Sequence, residues 1–132
     1  MKKALVVFIS IALLSACSKS TQYTQDLTGT WNIYKLTYYN VEDDSYLLDS
    51  LGNYAITFTS NGHYVETYVK YPNLMPDSVT NVGTWQFQNS YGQLLLVDSS
   101  SSIRDTFTIF DLTGNSVELL SDGFNRYMRK AQ

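Results

Sequence analysis

The chain has 132 residues, 44% of them hydrophobic and 14% aromatic, with nine Lys and Arg against twelve Asp and Glu and a single cysteine. That length makes one domain with its own core. The acidic balance excludes a nucleic-acid binder, whose phosphate contacts need clustered basic residues, and one cysteine excludes an intrachain disulfide.

The chain opens on "MKKALVVFISIALLSAC", where Lys2 and Lys3 precede an apolar run from Ala4 to Leu14 broken only by Ser10, followed by small residues. A charged segment, a short apolar segment and a processing site make a secretory signal. The 11 positions of the run fall short of the roughly 20 that a spanning helix needs. "LSAC" at Leu14 to Cys17 resembles the bacterial lipobox. That resemblance implies a diacylglyceryl group on the Cys17 thiol, cleavage just before it, and acylation of the new amine by a fatty chain such as palmitate. Several acyl chains exceed the two signals that stable anchoring takes. The expected organisation is a signal peptide over 1–16, an acylated cysteine and flexible tether over 17–26, and a folded domain over 27–132. The tether reading rests on "SKSTQYTQD", which is polar and has no apolar period. Loss of Lys2 and Lys3 with the leader brings the mature charge to −5. By resemblance, serine after the cysteine implies sorting to the outer membrane, and the absence of acidic residues just behind it implies a periplasm-facing position.

From Leu27 onward, β-branched and aromatic residues dominate and turn dipeptides recur at short intervals, the pattern of an all-β domain. Strands are expected over 30–40, 54–59, 63–71, 82–88, 93–97, 104–111, 116–120 and 125–130, an eight-stranded antiparallel up-and-down arrangement. In the first strand Trp31 and Ile33 share one parity while Leu36 and Tyr38 share the other, so a β-bulge near Tyr34 is expected to restore one inward face. In the second, Tyr54, Ile56 and Phe58 alternate against Ala55, Thr57 and Thr59. Three connections are tight, "SNG", "NSYG" and "TGN", with residues that tolerate positive φ. The intervening connections are longer, so a closed base and an open mouth follow from strand counting. The same count puts Trp31 at the base and Trp85 at the mouth.

"LTGTW", "ITFTSNGHY", "GTWQFQNSYGQLLL", "TFTIFDLTGNSVELL" and the terminal "RYMRK" resemble the lipocalin-like lipoprotein domains frequent in Bacteroidota. The resemblance spans nearly the whole mature domain and implies a lipocalin-like barrel. In that group a Gly-x-Trp motif opens the first strand, and a basic residue of the last strand packs over the tryptophan. Gly29 and Trp31 match the motif. Arg126 or Arg129 would be the basic residue, with Arg129 preferred because it shares parity with a Tyr127 taken as inward.

No catalytic constellation can be assembled. His63 is the only histidine and reads as a turn residue, zinc would need several His or Cys ligands, and the acidic stretch Glu42 to Asp44 with Asp49 lacks the calcium-loop spacing. Ser99 to Ser102 reads as flexible loop. Neither an enzyme nor a metal or cofactor is therefore expected. On 63–71, Tyr64, Glu66 and Tyr68 share a face that is either the inner wall or an outward polar ladder. With the inward alternative, Tyr38, Glu66, Tyr68 and Trp85 form the expected ligand contacts, joined by loop residues Leu47 and Met75, for a small apolar or amphipathic molecule. Bulky inward residues leave a second possibility, since an eight-stranded barrel is just wide enough to be filled by its own side chains. A filled barrel would serve as a structural or protein-interaction module.

Overall fold

The computed structural model describes residues 19–38, 54–70, 75–121 and 124–132. The signal peptide, Cys17, the acidic stretch with Asp49, and Leu47 lie outside them. Eight strands run in chain order: β1 (Gly29–Tyr38), β2 (Ala55–Phe58), β3 (His63–Lys70), β4 (Asp77–Gln88), β5 (Gln93–Asp98), β6 (Arg104–Leu112), β7 (Ser116–Ser121) and β8 (Phe124–Lys130). Each pairs antiparallel with the next, and β8 returns to β1, closing the barrel.

The register slips between Ile33 and Lys35 against β8. This is the bulge expected at Tyr34, and it leaves Trp31, Ile33 and Leu36 all buried while Tyr34 is exposed. A second slip between Ile109 and Asp111 turns Phe110 outward and brings Leu112 onto the core.

The largest departure lies in β4, which begins at Asp77 and not at Val82. Asp77 to Asn81 pair with Lys70 to Glu66, so backbone hydrogen bonding extends the hairpin through residues that carry little apolar pattern. Trp85 is then well down the strand. Its indole N–H donates to the Thr59 carbonyl at 3.0 Å and its backbone N–H to the Gly62 carbonyl at 2.8 Å. Trp85 therefore sits against the tight turn at 60–62, packed edge-on against Phe58 and Phe87. Both tryptophans belong to the base, and the expectation that Trp85 borders the mouth is corrected.

Residues 19–27 are helical (α1), which replaces most of the expected flexible tether. Only two apolar side chains carry this helix, so no period was visible, yet Tyr23 and Leu27 at i and i+4 fall on one face. Tyr23 stacks on Tyr91 at 4.9 Å and meets Phe87 edge-on at 6.0 Å; Leu27 is 0% exposed. The last carbonyls of a helix lack intrahelical partners, and here the barrel supplies them. The Trp31 indole N–H donates to the Leu27 oxygen at 2.7 Å, and the Lys130 ammonium donates to the Asp26 oxygen at 2.9 Å. A cation at a helix C-terminus is also favoured by the helix dipole.

The basic residue over Trp31 is Lys130, its Nζ 5.1 Å from the ring centroid, and not Arg129. Met128 pairs with Ile33 and Val117 and is buried, so Arg126, Met128 and Lys130 share the inward parity. Tyr127 and Arg129 face out, Arg129 lying over exposed Tyr34 at 4.4 Å. Gly29, at φ +130°, lets the Lys130 stem cross, since a Cβ there would come within 2.9 Å of Lys130 Cε.

The serine loop is also ordered. One Asp98 oxygen accepts hydrogen bonds from the backbone N–H and hydroxyl of both Ser100 and Ser101, at 2.6 to 3.0 Å. These bonds, led by that from the Ser100 hydroxyl, lower the Asp98 pKa to about 2. Side chains of that kind organise turns without apolar packing, which is why composition alone read as flexibility.

Candidate ligand-binding site

The base half of the interior is apolar: Leu27, Trp31, Phe58, Trp85, Leu94, Val117 and Met128 are buried there together. Polar groups enter the inner wall on the mouth side. Tyr64 is buried in the core, so by the two-residue period of a strand Glu66 and Tyr68 on β3 also face in. This decides between the two faces left open for that strand.

Glu66 stands in register with Ile56 on β2 and with Asn81 on β4. Asn81 Nδ2 donates to Glu66 Oε2 at 3.0 Å. The Tyr54 hydroxyl donates to Glu66 Oε1, and the Tyr54 ring stacks on Tyr68 at 5.2 Å with 17° between planes. The Tyr54 carbonyl accepts from the Ile33 N–H at 3.1 Å, which pins the residue to β1. Opposite, Arg126 from β8 lays its guanidinium over the Phe107 ring at 4.7 Å.

These contacts set protonation. Burial raises the Tyr54 pKa far above that of an ordinary tyrosine, the Glu66 carboxylate raises it further, and the Arg126 charge acts in the opposite sense. Tyr54 thus keeps its proton and donates a hydrogen bond to Glu66. Burial, then the charges of Glu66, Asp98 and Asp105, push Tyr64 up to about 12. A tyrosine whose folded pKa exceeds its unfolded value of about 10 holds its proton in the native state. Its stabilising contribution is complete below pH about 10 and drains away as pH rises towards the folded value, about 12 for Tyr64. Ultraviolet absorbance titration should show a late-ionising class among the 11 tyrosines, with unfolding following its ionisation. Tyr64→Phe should shift the alkaline unfolding midpoint upward; an unchanged midpoint would sink this account.

Of the expected ligand contacts, Glu66 and Tyr68 come together on the inner wall. Trp85 does not join them, for the reason given above. Tyr38 pairs with Phe124 at the mouth end of β1 and β8, its side chain lying outside the described residues. Met75 is exposed on the mouth side. Sequence reasoning passed over three members. The alternation of Tyr54 with Ile56 places it inward without linking it to Glu66, Asn81 falls in an expected loop, and Arg126 reads as a candidate for the base. The signal for the last was the parity of Met128. His63 is the exposed first residue of β3, bonded through its backbone to Thr59.

A carboxylate holding two donors has lone-pair capacity left, and a guanidinium carries five N–H donors. Both groups therefore keep hydrogen-bonding capacity on the mouth side of an apolar floor.

Comparison with known proteins agrees with this architecture. The family model described as a lipocalin-like domain matches residues 27–119. No curated protein matches. Among solved structures, the chain is similar to a lipocalin-like protein from Bacteroides uniformis ATCC 8492, at 17% identity and a TM-score of 0.58, covering 80% of this chain and 99% of that one. It is similar also to an uncharacterized protein from Bacteroides eggerthii DSM 20697, at 14% identity and a TM-score of 0.58, with the same coverage. A further protein from Bacteroides uniformis, solved by NMR, matches at 15% identity and a TM-score of 0.57, covering 83% of this chain and 92% of that one. At such identities the structures attest to the fold, and the family match, spanning well over half the chain, places it: this chain belongs to the lipocalin-like domain family.

Proposed function

We propose that the chain is a lipid-anchored binding protein of the outer membrane, facing the periplasm, whose barrel mouth holds a small apolar or amphipathic molecule. The observation that carries the binding reading is the placement of Tyr54, Glu66, Asn81 and Arg126 on the inner wall, above a base filled with apolar side chains. Purely structural packing would be served as well by apolar residues at these half-buried positions. In this proposal the site binds and does not catalyse, the single histidine, His63, lying at the base end of β3. Anchoring is assigned to acylated Cys17.

Native mass spectrometry of the protein taken from its own envelope tests the binding. A co-purifying molecule is expected, and Arg126→Met, which keeps an apolar stem on Phe107 but removes the donors, should weaken its retention about 10- to 100-fold, the value of one or two charge-assisted bonds. An empty barrel would favour the other reading, a filled module presenting its acidic surface to an envelope protein.

A further inference from the structure

We propose that the closed base of the barrel lies against the phospholipid surface, with the mouth opening away from it. This rests on the acylation of Cys17 in the reading above. Helix α1 is fastened to the base by four contacts: buried Leu27, the Trp31 bond to its carbonyl, the Lys130 bond to Asp26, and the Tyr23 stack on Tyr91. Its described residues begin at Lys19. Only Ser18 separates Lys19 from Cys17, and two backbone steps reach at most about 7 Å. The acyl chains therefore emerge beside the base, whereas a long tether would have left the orientation free.

The base surface has the chemistry of a membrane interface. Lys19 Nζ lies 5.8 and 6.0 Å from the Tyr23 and Tyr91 ring centroids, and Phe110 is 59% exposed. Tyr23, Tyr91, Ile109, Phe110 and Leu112 line a groove of about 330 Å³, with Asp111 its one charged group. Tyrosine rings settle at headgroup level, and lysine lays its stem along apolar surface while its ammonium reaches the polar layer. Lys19 and Asp111 bring charges of both signs to the groove and its edge, which suits zwitterionic headgroups.

The turn that presents Tyr91 is costly. Asn89, Ser90 and Tyr91 all adopt positive φ, at 49°, 54° and 71°, a left-handed run that side-chain-bearing residues rarely sustain. The run places Tyr91 against Tyr23. With the base on the bilayer, the Glu66 and Arg126 cluster is reached from the aqueous side, so its ligand arrives through water and is not drawn up from the lipid.

The full chain, expressed in a bacterium that processes lipoproteins, provides the test. Acylation consumes the thiol of the only native cysteine, so Ser90→Cys at the base and Ile103→Cys at the mouth each give one labelling site. Each labelled protein is reconstituted into phosphatidylcholine and phosphatidylethanolamine vesicles containing headgroup-nitroxide lipid, after its acyl mass has been verified by mass spectrometry. The fluorophore at position 90 is expected to be quenched severalfold more strongly than that at position 103. An acylated protein with equal or reversed quenching overturns the orientation alone; a chain carrying no acyl mass overturns the anchoring reading and the orientation with it.

Discussion

Trp31→Ala is expected to lower the unfolding free energy by about 3–5 kcal/mol, the range for emptying a buried aromatic site. Against a total of about 5–15 kcal/mol for an ordinary domain, that threatens the fold. The side chain is 0% exposed, and three contacts depend on it. Removing the indole leaves the Leu27 carbonyl without its donor, withdraws the ring beneath Lys130, and opens a cavity under α1. Trp31→Phe separates these effects: it keeps most of the buried ring but orphans the carbonyl, so a smaller loss of about 1–3 kcal/mol is expected. Urea unfolding followed by the fluorescence of Trp85 measures both variants. Amide exchange at Thr28, whose N–H donates to Thr24, should quicken in Trp31→Ala as the helix loosens. A loss below about 1 kcal/mol would show that Trp31 does not close the base.

The eight strands were legible because each carries its own alternation or its own turn signal. Tyr54, Ile56 and Phe58 announce β2, and the Asn and Gly residues of 60–62, 89–92 and 113–115 announce the ends that meet at the base. The bulge at Tyr34 was legible for the same reason, since a switch of parity within one strand has few other physical causes. Where both phases of a strand carry large side chains, alternation decides nothing. In "RYMRK" an inward Tyr127 and an inward Met128 satisfy the pattern equally, and only pairing of Met128 with Ile33 and Val117 selects the phase that sends Lys130, not Arg129, to Trp31.

Two further departures from the sequence pattern have a common origin, in structure held by polar contacts. Asp77 to Asn81 extend β4 through backbone pairing, which no side-chain pattern advertises, and that extension moved Trp85 from the mouth to the base while bringing Asn81 to Glu66. Helix α1 has two apolar anchors and depends on carbonyl partners more than 100 positions away in one case. The candidate site was half visible accordingly. Glu66 and Tyr68 share a face with Tyr64 in the sequence, but only the burial of Tyr64 turns that face inward, and Tyr54 and Asn81 reach it from other parts of the chain, an adjacency that belongs to strand pairing.

The two Gly-Thr-Trp triplets predict different outcomes when their glycines are changed. Gly83→Ala should cost about 3 kcal/mol, the upper end for overpacking. A methyl group there would stand 2.1 Å from the Val97 carbonyl oxygen and 2.6 Å from Tyr64 Cε1. The carbonyl belongs to a strand paired across the Gly83–Asp98 register, so it cannot retreat without parting β4 from β5, and the Tyr64 ring is itself buried. Gly29→Ala meets a softer obstacle, the flexible end of Lys130 at 2.9 Å, and is opposed mainly by its φ of +130°, a strain of about 1–3 kcal/mol. Urea unfolding should therefore rank Gly83→Ala below Gly29→Ala in stability, and the reverse order would refute the steric argument. The titration of Tyr64 supplies an independent reading. A ring displaced from its seat on Gly83 loses the burial that holds its pKa near 12, so the Gly83→Ala protein should ionise one more tyrosine close to the ordinary value of about 10 while still folded.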